Sequence, residues 1–182
     1  MSKINAPAFA AALLTMLVLL AMQQFPFIPL WALFISWACF FHLGGGEKPG
    51  ETLLVTNIHL WTGIVASWLS ALLLLANPFT DTMLAPVWGP VIIGLVIGLL
   101  VRMSLLPWLA ATPAIIYGYA AVWAFLSVPG RFDATLLRSL TFDNAVIALL
   151  VASLLGTCLG YVNARFVAWL TREHATAAKS TA

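Results

Sequence analysis

Six uncharged or nearly uncharged apolar stretches, joined by short polar links, constrain this chain more than any motif in it. They run at about Ala6–Met22, Pro29–Leu43, Leu53–Ala76, Pro86–Val101, Leu105–Val128 and Asn144–Leu170. None contains an aspartate or glutamate. A helix needs about 20 such residues to cross the hydrocarbon core of a bilayer, where no water is present to satisfy the backbone. Over the 182 residues, 63% are hydrophobic and 8% charged, against about 25% charged in a soluble domain. So few polar groups cannot cover a water-facing surface. The chain therefore reads as an all-α membrane protein of about six transmembrane helices. Residues 1–171 form one transmembrane domain, and residues 172–182 form a polar, mobile cytoplasmic tail.

Lysine and arginine set the expected orientation. Six spans place Lys3, Lys48, Arg102, Arg165, Arg172 and Lys179 on one side, and Arg131 and Arg138 on the other. Both termini are expected in the cytoplasm, and the segment from Pro129 to Phe142 outside. The first span has one preceding lysine, a long apolar run and no small-residue cleavage site in Met22-Gln-Gln-Phe25. It reads as a retained span rather than a signal peptide. Trp31, Trp88, Trp108 and Trp169 stand near span ends, as interface anchors do.

The loop Gly44-Gly-Gly-Glu-Lys-Pro-Gly50 has the composition of a phosphate loop but not the context. A P-loop follows a strand, and its lysine precedes Ser or Thr at the start of a helix. Here an aromatic apolar run precedes and Pro49 follows the lysine. Gly44, Gly45 and Gly46 are expected to end the second span and turn the chain on the cytoplasmic side.

Two features bear on transport. The second span is short and flanked by Pro26 and Pro29, and the fifth contains Pro107 and Pro113. Short or interrupted spans in corresponding positions of two halves mark solute sites in transporters. Each is the middle of a three-span half, and both open on proline and tryptophan when Pro29 is matched to Pro107. Two halves of three spans would be inverted across the membrane. Thr56, His59, Gly63, Ser67 and Ser70 also form one helical stripe on the third span. Two readings stand for that stripe. It is either a packing face or one wall of a polar path, with His59 as its ionisable member and Ser36, Thr112 and Tyr117 contributed by the second and fifth spans.

Gly94-Leu-Val-Ile-Gly98 and Gly156-Thr-Cys-Leu-Gly160 have the spacing of close helix packing. The second continues a stripe of Ser153, Gly156, Gly160 and Asn163, which is expected to face the third span or another subunit. Cys39 and Cys158 lie within apolar runs, and the three histidines are scattered. No disulfide framework, zinc spacing or nucleophile–base pair appears. No enzyme activity, cofactor, metal or nucleic-acid partner is expected. The partners expected are the lipid bilayer, a small neutral solute and further copies of the chain in a homo-oligomer.

The combination of Ser36-Trp-Ala38, Phe40-Phe-His-Leu-Gly-Gly-Gly-Glu-Lys48, Thr112-Pro-Ala-Ile-Ile-Tyr-Gly118 and Gly156-Thr-Cys-Leu-Gly-Tyr161 resembles the DUF-1097 family over roughly Pro26 to Leu170. That resemblance implies a small multi-pass protein of the bacterial inner membrane, and it brings no catalytic or binding residues. The chain departs from the family pattern in the extended segment from Pro129 to Phe142 and in Leu43-Gly-Gly-Gly46, where a proline is expected before the glycines. Two functions remain: a channel or facilitator for a small neutral solute, or an accessory protein that binds a partner through its glycine faces without transport.

Overall fold

The computed structural model describes residues 5–180, with side chains described to Arg172. Lys3 lies outside the described residues, as do residues 181–182 of the tail, and the side chain of Lys179 is likewise not described. Six apolar helices and one short helix follow one another: α1 (Asn5–Met22), α2 (Leu30–His42), α3 (Pro49–Leu75), α4 (Ala85–Met103), α5 (Thr112–Leu126), α6 (Ala134–Leu137) and α7 (Ala145–Ser180). No strand occurs among the described residues. α1, α3, α4 and α7 are long and apolar enough to cross a membrane. The polar end from Arg172 continues α7 as helix through Ser180.

α2 and α5 are shorter, at 13 and 15 residues. At 1.5 Å per residue they extend about 20 and 22 Å, against a hydrocarbon core of about 30 Å. The expected span from Leu105 to Val128 is broken. Leu106 takes an extended conformation before Pro107, Pro107–Leu109 forms a single 3-10 turn, and Ala111 leaves helical geometry before Thr112 and Pro113. A residue before proline is pushed out of the helical region, and two prolines six residues apart interrupt the helix twice.

The glycine loop ends α2 in a Schellman motif. The Gly45 N–H donates to the Phe40 carbonyl and the Gly44 N–H to that of Phe41, with Gly44 at φ 92°. That left-handed conformation favours glycine. Gly45 is buried under the Phe40 ring, which leaves no room for a Cβ, whereas a Cβ at Gly46 would make only an ordinary contact with the Phe41 ring. The Gly44 carbonyl then accepts the N–H groups of Glu47 and Lys48 and tightens the turn into α3.

Helix directions follow from contacts. Asn57 bonds Thr157 and Trp61 bonds Ser153, so α3 and α7 are antiparallel at the centre. His59 meets Ala111, and Gly63 meets Ile115 and Tyr119, so α5 runs parallel to α3. Gly156 meets Leu33 and Gly160 meets Phe40, so α2 runs parallel to α7. α1 lies against α7 and α4 against α3. The six apolar helices thus alternate in direction.

The pairing is preserved when α1 is exchanged with α4, α2 with α5 and α3 with α7. The short helix of each half packs most extensively on the last helix of the other half. The register of this inverted repeat differs from the sequence expectation. Gly63 and Gly156 are equivalent, each set against a carbonyl, that of Ile115 and that of Leu33 respectively. Matching Leu33 to Ile115 places Pro29 on Ala111, one helical turn beyond Pro107. Proline spacing misled because Pro107 belongs to the turn before α5 and not to the helix.

Candidate functional site

α2 and α5 lie side by side with a cavity of about 390 Å³ between them, lined by Ile35, Ala38, Cys39, His42 and Tyr117. In the register set by the glycines, Ile35 and Tyr117 are equivalent positions. The cavity therefore borders the pseudo-two-fold axis that relates the halves. Both residues are substantially exposed, and the pocket opens on one face of the bundle. His42 stands at its basic end, near the Gly44–Gly46 turn.

The polar stripe of α3 lies elsewhere. Thr56, His59, Gly63, Ser67 and Ser70 are all buried, and Gly63, His59 and Ser70 meet α5. A Cβ at Gly63 would fall on the Ile115 carbonyl oxygen, and one at Gly118 on that of Leu60. Two helices that approach this closely leave no path between them. The Thr56 hydroxyl donates to the Thr52 carbonyl, and the Ser36 hydroxyl to that of Ala32. The Ser67 hydroxyl is buried without a partner.

Both ring nitrogens of His59 are engaged. The Ala111 N–H donates to Nε2 at 3.0 Å. Nε2 is then an acceptor, so Nδ1 carries the proton and donates to the Val55 carbonyl at 2.6 Å. The break before α5 creates this need: Ala111 has left the helix, and its N–H requires an acceptor inside an apolar bundle. In the other half the equivalent position is Pro29, which has no N–H, and Ala152 stands where His59 does.

Of the remaining predicted path residues, Thr112 opens α5 with its N–H on the Ala110 carbonyl. Tyr117 is 43% exposed and lines the α2–α5 cavity. The structure therefore places Tyr117 on a cavity and packs Thr56, His59, Gly63, Ser67 and Ser36 between helices. Gly156 and Gly160 face α2, not α3, because α2 slides into the groove they leave. Gly94 and Gly98 have no atom within 4 Å of where a Cβ would stand, and their face of α4 is open.

Sequence reasoning missed the contacts at the centre. Asn57 Nδ2 donates to the Leu53 carbonyl and to Thr157 Oγ1, both at 2.8 Å. An asparagine in an apolar span needs a partner, and that signal was legible, but it identified no partner. At the opposite end the Trp68 indole N–H and Asn144 Nδ2 both donate to the Leu137 carbonyl. α6 thereby ties the end of α3 to the start of α7.

The family model described as Protein of unknown function (DUF1097) matches residues 8–168. The chain belongs to this family. No curated protein and no solved structure matches it. What the chain does must therefore be read from its own geometry. As a DUF1097 member it is an all-helical membrane protein with four full-length apolar helices and two short ones. The short pair forms the α2–α5 cavity.

Proposed function

We propose that the chain is a small inverted-repeat facilitator that moves a small neutral solute across the bacterial inner membrane without chemical change. The observation that carries this reading is the cavity of about 390 Å³ between two short, proline-bounded helices in equivalent positions. Such helices leave irregular backbone at membrane depth, before Leu30 and around Pro107 to Ala111. That backbone is tolerated where it is covered by protein or lines a water-filled space. The proposed path follows the α2–α5 groove past Ile35, Tyr117 and His42. No carboxylate lies within α1 to α5 beyond Glu51 at the start of α3, which suits a neutral solute better than a cation. The basic residues Lys48, Arg102 and Arg165 favour both termini in the cytoplasm. A cysteine at the exposed Gly46 should then react with an impermeant thiol reagent from the cytoplasmic face alone.

The test is flux of a panel of small neutral solutes into proteoliposomes. Ile35→Trp should reduce flux at least tenfold, while Leu95→Trp, on the exposed face of α4, should leave it unchanged. Absence of flux from folded protein would reject the facilitator.

A second reading rests on Gly94 and Gly98, whose face has no neighbour in the chain. That face suits close approach of a helix from a second copy. Gly156 and Gly160 are unavailable for this role, since α2 covers them. Gly94→Leu with Gly98→Leu should convert an oligomer to a monomer in detergent. A wild-type monomer would remove this reading.

A further inference from the structure

A pocket of about 360 Å³ lies between the start of α3 and α7, lined by Lys48, Pro49, Gly50, Glu51, Tyr161 and Arg165. Lys48 and Glu51 form an exposed ion pair at 3.6 Å. Arg165 has no hydrogen-bond or ion-pair partner among the described residues. The pocket thus holds two cations and one carboxylate, and that carboxylate is already matched. The depth of Arg165 makes its unmatched charge informative. Asn57 pairs with Thr157 and Trp61 with Ser153. Continuing this antiparallel register sets Arg165 level with Pro49 and Tyr161 level with Leu53. Beyond Arg165, α7 stays apolar for another turn through Phe166, Val167, Trp169 and Leu170. Trp169 is exposed and stacks on Phe166. A tryptophan so placed marks the interface between hydrocarbon and water. Arg165 therefore stands at the depth of the lipid headgroups and not in bulk water.

We propose that this pocket binds the headgroup of an anionic phospholipid, with the phosphodiester on the Arg165 guanidinium and the Tyr161 hydroxyl, and Lys48 beside it. A guanidinium fork matches two phosphate oxygens. The Tyr161 hydroxyl, also without a partner among the described residues, is a further donor. A headgroup carrying its own ammonium would need a free carboxylate, and Glu51 is engaged with Lys48. That selects a lipid of net negative charge over a zwitterionic one. The seam below the pocket selects a lipid over free phosphate. At helical spacing, Leu54 and Trp61 continue the Gly50 face of α3, and Cys158 and Leu154 continue the Arg165 face of α7. Leu54 is 65% exposed, and Trp61 and Leu154 are exposed as well. Two apolar stripes thus lead from the pocket toward the bilayer centre, where the acyl chains of the same molecule would lie. Basic pockets between transmembrane helices hold such headgroups. This site does not depend on transport through the α2–α5 groove.

The test uses the full chain in detergent micelles and native mass spectrometry, with phosphatidylglycerol and phosphatidylcholine of identical acyl chains added in equal amounts. Wild type should carry phosphatidylglycerol in roughly tenfold preference, the size of one charge-assisted contact. Arg165→Gln should remove most of that preference while keeping the phosphatidylcholine adducts and the wild-type melting temperature. Tyr161→Phe, which removes one hydroxyl and nothing else, should reduce the preference about threefold and serves if Arg165→Gln fails to fold. Arg102→Gln removes a cation from the same end of the bundle but outside the pocket, and should leave the preference intact. Inorganic phosphate in large excess should not displace the lipid. No preference in wild type, or a preference that survives either pocket substitution, would overturn the proposal. So would an equal loss in Arg102→Gln, which would mean that diffuse positive charge and not the pocket attracts the lipid. Displacement by inorganic phosphate would overturn the lipid as occupant in favour of a soluble phosphate.

Discussion

At the α3–α5 interface Gly63 admits the α5 backbone, His59 accepts the free N–H of Ala111, and Tyr119 closes on Ser70. At the α2–α7 interface Gly156 admits the α2 backbone in the same register, but Pro29 offers no N–H, Ala152 replaces the histidine, and Asn163 is left without a partner. The backbone geometry is shared and the polar chemistry is not. Close approach depends on glycine, which both halves keep. A polar group appears where a local backbone break demands one, as at Ala111. A polar residue in a span therefore signals function only after its internal partners have been counted.

The largest expected effect tests the shared geometry. Gly63→Ala and Gly156→Ala should each destabilise the fold by about 1–3 kcal/mol through overpacking against a carbonyl, measured as loss of helical signal on heating in detergent. Gly94→Ala, with open space around it, should gain up to about 1 kcal/mol from helix propensity. A large loss at one of the first pair and none at the other would break the equivalence of the two halves.

Next comes the chemistry that one interface has and the other lacks. His59→Leu should cost about 1–3 kcal/mol, because it leaves the Ala111 N–H buried without an acceptor. Ala152→Leu, at the equivalent site, tests bulk rather than hydrogen bonding. The two are separated by amide exchange, since only His59→Leu should speed exchange at Ala111. Unchanged exchange there would remove His59 from its structural role.

A smaller effect is expected at Ser67, which occupies the position of Gly160. Its hydroxyl is buried and unpaired. Ser67→Ala should be neutral or stabilising by up to about 1 kcal/mol, since removing an orphaned polar group removes its desolvation penalty. A clear loss of stability would show that the hydroxyl has a partner.

The smallest effect lies in the connections. The turn from α2 to α3 is six residues, with Gly44 at positive φ, whereas that from α5 to α7 carries α6, capped by Asp133. The Asp133 carboxylate accepts from the Thr135 hydroxyl and from the N–H groups of Thr135 and Leu136. The Thr135 hydroxyl first, and then these N–H groups, hold its pKa below the usual carboxylate range. Its folded value is depressed, so the cap is at full strength above the ordinary aspartate range and is lost as pH falls through the lowered value. The Leu136 amide shift should titrate with a midpoint below that range, and Asp133→Asn should abolish the titration. A midpoint at the ordinary value would mean that the cap adds nothing to α6.

Much of the fold was legible without coordinates. The helical class, the membrane setting and the approximate positions of the apolar helices follow from composition and run length. The turn at Gly44 follows from local backbone preference. Legibility failed at Pro107, where a continuous span was expected, because two prolines act together on the residues between them. The stripe around His59 left packing and a polar path both open. Periodicity showed that these residues share a face, but sharing a face does not reveal whether the face is covered.

Sequence by itself determined what each segment is: an apolar helix, a short helix bounded by prolines, or a glycine stop. Those properties arise from neighbours along the chain and from the solvent each segment can tolerate. Tertiary structure alone decided which segments meet. It placed Gly156 against Leu33, joined His59 to Ala111 across 52 positions, and paired Asn57 with Thr157 while leaving Asn163 unpaired. Partners so far apart are chosen by the register in which whole helices pack, and a single span's sequence carries no record of that register.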